Sequence, residues 1–430
     1  MRKIVPLLML PLLLLSAAAE ARLTIEITGG RESAMPIAVV PFAGESTNQD
    51  RLSEVIAADL SRSGHFAPMP AGKMPAQPHQ GRQIDFSAWR RAGIEHVVVG
   101  KVESGGSALQ VQFQLFDAVR GEQLAGYAIP TTPSRLRKVA HQISDIIYEK
   151  ITGQRGAFNT HVAYVKVEEQ AGKRIHRLAV ADADGYNEQI ILSSKQPLMS
   201  PSWAPDGRRL AYVSFEGGRS ELYVQNIATG KREKLAGFKG LNSAPSWSPD
   251  GRRMAMTLSR DGNPEIYILE LEGGVLTRVT HSRAIDTEPA WSPDGRTLVF
   301  TSDRGGRPQI YQVKLSGSRP QGSPRRITFE GDYNARASFS PDGKKLAMVN
   351  GEGNRFRIAV QELDSGSFRL LTDNKLDESP SFAPNGSMII FATERNNRGI
   401  LEAVSVDGRA HQRLGTNSGG VREPAWSPFN

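Results

Sequence analysis

Past residue 160 the chain is written in short apolar runs separated by turn residues at a regular pitch. Leu210-Ala211-Tyr212-Val213 and Leu298-Val299-Phe300-Thr301 are continuous apolar segments, the pattern of a strand buried on both faces. Each is followed by a Gly-rich turn (Gly217-Gly218, Gly305-Gly306) and a third apolar strand, Leu222-Tyr223-Val224 or Ile310-Tyr311-Gln312-Val313. A second turn, Thr229-Gly230 or Gly273-Gly274, leads into a more polar outer strand such as Leu276-Thr277-Arg278-Val279-Thr280. The strand that opens each group carries a signature. Pro201-Ser202-Trp203-Ala204-Pro205-Asp206-Gly207 recurs as Pro245–Gly251 and Pro289–Gly295, more loosely as Ala337–Gly343 and Pro380–Gly386, and in truncated form as Pro424–Pro428. The aromatic residues fall at 203, 247, 291, 339, 382 and 426, so the spacings are 44, 44, 48, 43 and 44. The long one accommodates a loop at Ser318–Ser323.

Four short strands per period of this length predict a β-propeller blade, which buries its apolar faces only by stacking on its neighbours. The ends of the array count the blades. Val162–Val165, Ile175–Val180 and Gln189–Leu192 supply three strands with no first strand, and Pro424–Pro428 is a first strand with no blade. Joined, they predict a six-bladed ring closed by the C-terminal strand, with no open sheet edge.

Residues 22–155 carry no trace of the repeat and alternate between strand and helix patterns, predicting a small α/β domain. Strands are expected at Ile25–Thr28, Ile37–Phe42 and Ile94–Val102, and a hairpin at Leu109–Phe116 and Gln123–Ile129. Helices are expected at Leu52–Leu60, Phe86–Ala92 and Leu136–Ile151, the last stopped by Gly153. Ala67–Gly81, with four prolines, has the composition of a mobile loop but reads better as a plain surface connection. Ahead of this domain, Arg2-Lys3, the apolar stretch Ile4–Leu15 and the small residues Ser16–Ala21 have the order of a secretory signal peptide. The expected division is therefore a leader at 1–21, the α/β domain at 22–155 and the propeller at 156–430, with cleavage after Ala21 or Ala19.

Composition narrows the chemistry. The chain has no cysteine, which excludes disulfides, thiolate metal sites and a cysteine nucleophile. Eleven of its 26 prolines lie in the six strand motifs, so the Gly and Pro content is turn punctuation. The formal charge of +8 is spread over both domains without a run of five like charges, which argues against nucleic acid. No two of the eight histidines have metal-ligand spacing, and neither a phosphate-binding Gly-rich loop nor a Gly-x-Ser-x-Gly elbow occurs. Asp182-Ala183-Asp184-Gly185-Tyr186-Asn187 has the acids of a calcium loop, but its Gly falls at the fourth position and Ser193 stands where the closing Glu belongs. A tight strand connection is the better reading. No residue pattern argues for an enzyme, a cofactor or a metal, and a periplasmic propeller enzyme or a glycan-binding module stays open; the non-enzymatic expectation comes from the family resemblance that follows.

His141-Gln142-Ile143-Ser144-Asp145, Thr152-Gly153, Gly156-Ala157-Phe158, Asp184-Gly185-Tyr186-Asn187 and Pro197–Pro201, together with the six-fold motif, resemble the TolB family, periplasmic propellers of the Tol–Pal system. The resemblance spans essentially the whole chain. It implies a periplasmic, monomeric interaction protein that helps maintain outer-membrane integrity and constriction during cell division. One face of the propeller would bind the peptidoglycan-associated lipoprotein Pal, and the N-terminal segment of the mature chain would bind TolA. Carried over, the Pal face comprises Asn242, Ala244, Asp286, Thr287, Glu288, Arg336, Glu378 and Glu423, on the loops leading into the innermost strands. Leu241 departs from the family, which often has His there. The TolA segment would run from Arg22 to Ser33, centred on Arg22, Leu23, Thr24, Ile25, Glu26 and Ile27, whose alternation suits strand addition to a partner sheet. The bland alternative is an ordinary edge strand of its own domain, and the two could hold in turn.

Overall fold

In the computed structural model the described residues are 23–27, 34–45, 51–105, 108–416 and 419–429, with backbone alone at 23–27 and 415–416; the expected leader lies outside them. Every period of the repeat folds into four antiparallel strands. Leu198–Trp203, Arg209–Ser214, Glu221–Asn226 and Arg232–Ala236 form one sheet in that order (blade 2), and blades 3 to 6 follow at 242–278, 286–326, 333–370 and 378–416. Blade 1 closes the ring: Gly420–Trp426 pairs antiparallel with His161–Gln170, which continues to Lys173–Asp182 and Gln189–Ser194. The six-bladed ring closed by its C-terminal strand is thus as the repeat predicts.

The apolar runs are continuous because both faces of each middle strand are covered. In blade 3, Met254, Met256 and Leu258 pack back onto Ala211, Val213 and Leu222 of blade 2, while Ala255 packs forward onto Phe300 and Leu298 of blade 4. The core therefore lies between the blades. The indoles reinforce it: Trp203 Nε1 donates to the Ala425 carbonyl (3.0 Å), Trp247 to Ser202 (3.1 Å) and Trp291 to Ser246 (3.1 Å), each reaching the inner strand of the preceding blade. The Ser-Pro-Asp-Gly turns are closed by side chains. Ser248 Oγ donates to Asp250 Oδ1 (2.5 Å) and accepts from Arg253 N (2.9 Å), with Gly251 at φ +68° where a Cβ would be strained.

The N-terminal unit is a five-stranded sheet in the order Phe66–Pro68, Met35–Val39, His96–Gly105, Ala108–Asp117, Glu122–Thr131, parallel in its first two pairings and antiparallel after. Helices α1 (Leu52–Arg62) and α3 (Leu136–Thr152) cover one face, burying Ile56, Leu60, Ile143 and Ile147 against Val98, Val111 and Phe113. Helix α2 (Phe86–Arg91), capped by the Asp85 carboxylate, inserts Trp89 against the other. Gly153, at φ +75°, ends α3 in the left-handed conformation. The four-proline segment contains a short strand and a 3-10 turn, and its Met69 and Met74 pack beside α2.

One strand is misassigned by sequence reading. Residues 23–27 do not join the N-terminal sheet. They pair antiparallel with the outer strand of blade 6, Leu23 opposite Thr416 and Ile27 opposite Gln412, as a fifth strand of that blade. Strand alternation reveals that a segment pairs but not with what. The edge it takes belongs to the other domain.

Candidate functional site: the mouth of the propeller

The six innermost strands share a defect. Their pairing with the second strand shifts register between Met199 and Ser202, Ser243 and Ser246, Thr287 and Ala290, Ala335 and Ser338, Glu378 and Ser381, and Arg422 and Ala425. At each bulge one non-glycine residue takes positive φ: Ser200 (52°), Ala244 (48°), Glu288 (56°), Arg336 (53°), Ser379 (57°) and Glu423 (52°). Such residues cost about 1–2 kcal/mol each in isolation, so six in one ring mark a surface that the surrounding packing holds in an unusual shape. The bulges bend the inner strands around a central cavity of about 330 Å³, lined by Ser200, Ala244, Glu288, Arg336 and Ser379 among others.

Charge is concentrated there. The Arg336 guanidinium lies 3.4 Å from Glu288 Oε1 and 3.4 Å from Glu423 Oε2, and its Nη1 donates to Ser379 Oγ (2.7 Å). Both acids are held from behind. Glu288 Oε2 accepts from Arg336 N (3.0 Å) and Thr301 Oγ1 (2.9 Å), and Glu423 Oε2 accepts from Ser200 N (2.6 Å). Blades 4 and 5 are thus tied to blade 1 across the mouth. Beside them Glu378 is pushed above the usual carboxylate range by burial, against the opposing pull of Arg422 and Arg336. Thr287 is half-buried, its hydroxyl 3.3 Å from that of Thr257.

Of the eight sequence-derived face residues, Ala244, Thr287, Glu288, Arg336, Glu378 and Glu423 gather around this mouth. Asn242 and Asp286 are a correction: both are fully buried and face inward. The Asn242 amide donates to the carbonyls of Ser220, Phe238 and Gly240, and Asp286 Oδ2 receives Arg304 Nη2 at 2.6 Å. Asn334 and Asp377 occupy the same place in blades 5 and 6, while blades 1 and 2 have buried Val421 and Leu198 there. These residues peg the loops and do not form the outer surface.

The sequence reading missed an apolar crown. Met199, Leu241, Ile285, Phe329 and Leu376 are exposed, one in each of blades 2 to 6, on or just ahead of the innermost strands; Phe329 is 71% accessible. The available signal was a large apolar residue three positions before the bulge in three of the motifs, Leu241, Ile285 and Leu376. Next to the crown, a cavity of about 280 Å³ between blades 5 and 6 is lined by Tyr333, Phe356 and Leu376. Exposed apolar residues gathered on one face mark a surface for a partner; here the charges sit at the centre, the reverse of the usual apolar-centre, polar-rim arrangement.

The second sequence-derived site lies elsewhere. Backbone pairing places Leu23, Thr24, Ile25, Glu26 and Ile27 on the outer edge of blade 6, and Arg22 with residues 28–33 falls outside the described residues. No helix among the described residues is long and apolar enough to cross a membrane.

Comparison with known proteins agrees with this architecture. A family model described as the TolB beta propeller domain matches residues 148–430, and one described as the TolB amino-terminal domain matches residues 23–124. The chain is 59% identical over 434 residues to the Tol-Pal system protein TolB of Thioalkalivibrio sulfidiphilus, covering 100% of this chain and 99% of that protein. It is 56% identical over 425 residues to the Tol-Pal system protein TolB of Xanthomonas oryzae pv. oryzae, covering 97% and 96%. Among solved structures, TolB from Acinetobacter baumannii superposes with a TM-score of 0.88 at 41% identity, covering 95% of this chain and 100% of that one.

Proposed function

The chain belongs to the TolB family, components of the Tol–Pal envelope system, and from that premise we propose that it is a periplasmic docking protein rather than an enzyme. Its propeller mouth binds the peptidoglycan-associated lipoprotein Pal, its N-terminal segment binds TolA, and other Tol–Pal components are reached through these two. By exchanging partners it helps keep the outer membrane attached and constricting during division. The observation that carries this reading is the apolar crown around the charged, bulged mouth, where Thr287, Glu288 and Arg336 lie. An interface of this kind draws its energy from a few apolar anchors and its register from the charges.

The N-terminal segment suits a partner that offers a sheet edge. Residues 23–27 are the outermost strand of blade 6, so the backbone groups on one side pair with 412–416 while those on the other side face away from the sheet, toward an edge that a partner strand can extend. A partner that instead takes the paired side displaces the segment from blade 6, and the two placements then alternate as a switch. The test is co-purification of the tagged chain from envelope extract. Recovery of both the lipoprotein and TolA is expected; recovery of neither, with the chain folded, refutes the proposal.

A further inference from the structure

Five charged side chains with no part in the mouth meet in the seam between the domains. Asp59 and Arg62 come from α1, Arg137 and His141 from α3, and Asp184 from the turn between the third and fourth strands of blade 1. Arg62 pairs with Asp59 and lies 3.6 Å from Asp184, and Arg137 pairs with Asp184. His141 Nδ1 is 2.8 Å from Asp59 Oδ2, while Nε2 lies 3.6 Å from Asp184 Oδ2 and has no hydrogen-bond partner. The imidazole is only 3% accessible.

Two carboxylates and a histidine this close together suggest a cation site. The arginines argue against a metal ion: each carboxylate already holds a guanidinium, the charges of the four groups cancel, and a divalent ion would add two uncompensated charges in a buried place. A proton fits. It adds one charge, sits on the one unpartnered nitrogen and points it at Asp184.

We infer that His141 is a proton-operated latch between the domains: the imidazolium bridges Asp59 of the N-terminal domain and Asp184 of the propeller, and loss of its Nε2 proton loosens the seam. Burial opposes the charged form of His141, but Asp59 and Asp184 outweigh burial and Arg62, so its pKa is raised above the ordinary histidine value. Asp184, despite burial, is held at about 2 by Arg62, His141 and Arg137, and stays ionised as the acceptor. The raised value fixes the sign. The latch is closed below the ordinary histidine pKa and opens as pH rises through the higher folded value. The other titrating groups facing the seam are Asp145 on α3, pushed up to about 6 by burial, and Asp182, raised by burial and by Asp184. His161 also lies beside the seam, 3.6 Å from Asp182, so the response that belongs to His141 is the part lost in His141→Gln. A structural link runs onward, because the Arg62 carbonyl accepts from Gln412 Nε2, and Gln412 is the register partner of Ile27. An open latch therefore loosens the seat of residues 23–27; that consequence, unlike the latch, rests on the proposed function.

The absence of cysteine permits labels placed only where wanted. Val119→Cys and Val275→Cys put spin labels on exposed positions of the two domains. The interdomain distance distribution is recorded from about pH 5.5 to about pH 8.5. It should be narrow in acid and broaden with a midpoint above the ordinary histidine pKa. His141→Gln should be broad throughout with no pH response, and Asp184→Asn should move the midpoint down by about one unit. A distribution that does not change with pH in the unsubstituted protein, or an equal response in His141→Gln, overturns the latch. Should His141→Gln fail to fold, an unmoved midpoint in Asp184→Asn overturns it equally. Distances are read without any partner, so failure here is distinguishable from failure of lipoprotein capture.

Discussion

Replacing Arg336 by Met should weaken the propeller by about 2 kcal/mol. The substitution keeps the apolar stem and removes the guanidinium, and with it two ion pairs at 3.4 Å and a hydrogen bond of 2.7 Å to Ser379. At an effective dielectric constant of about 20, each pair has a Coulomb energy of about 5 kcal/mol before desolvation. Arg336 is 29% accessible, so water screens part of that, and the desolvation of three charges offsets most of the remainder. Breaking a fully buried pair costs about 3–5 kcal/mol and an exposed one about 0–1 kcal/mol. The two glutamates decide where in that span the loss falls. Neither is orphaned, because Glu423 keeps the Ser200 N–H, and Glu288 keeps the Arg336 backbone N–H and the Thr301 hydroxyl. The assay is denaturant unfolding followed by tryptophan fluorescence, which reports the propeller because Trp203, Trp247, Trp291 and Trp426 stand in inner strands and only Trp89 lies in the other domain. A double-mutant cycle with Glu423→Gln isolates the pair, with a coupling of about 1 kcal/mol expected. A coupling indistinguishable from zero would mean that the three charges are solvated neighbours, and the tie across the mouth would be lost from the account.

Thr287→Arg should reduce Pal capture at least tenfold with the unfolding midpoint unchanged, because it adds a long cation beside the Glu288–Arg336 pair on a half-buried site; undiminished capture in a pull-down removes that loop from the interface. Deleting residues 22–33 should abolish TolA capture while exposing the outer edge of blade 6 at 412–416, and retained capture would end the assignment of that segment. Trp247→Phe removes one hydrogen bond between blades 2 and 3 and should cost about 1 kcal/mol, with the Ser202 carbonyl losing its indole donor. Phe339 and Phe382 hold the same place in blades 5 and 6 without such a donor, so equal stability of the variant would show the indole bond to be dispensable.

Much of the architecture was legible because it is local. A turn such as Ser248–Gly251 is specified by four adjacent residues, and a strand such as Thr297–Ser302 by its own composition. Repetition then magnifies a weak local signal: six copies count the blades, and a lone first strand at Pro424–Pro428 reveals the closure before any coordinates do. The choice of face came from the resemblance to the TolB family, since the repeat alone does not say which end of the blades binds. The chemistry of that face was less legible. Asn242 and Asp286 look like surface loop residues by type and by neighbours, yet they are pegs: Asn242 holds the carbonyls of Ser220, Phe238 and Gly240, and Asp286 holds the Arg304 guanidinium.

Three features belong to the tertiary structure alone, and each joins residues far apart in the chain. Arg336 reaches Glu288 and Glu423 from separate blades. Asp59, His141 and Asp184 meet only because two independently formed domains dock with those side chains facing one another. Residues 23–27 carry a strand pattern with nothing in it to name a partner, and pairing with 412–416 follows from which sheet edge is within reach. Amphipathic periodicity and turn chemistry act over a few residues, so sequence determined the blades, their number and their closure. The closeness of charges and the choice of an edge depend on how finished units pack, and there only the assembled structure decided.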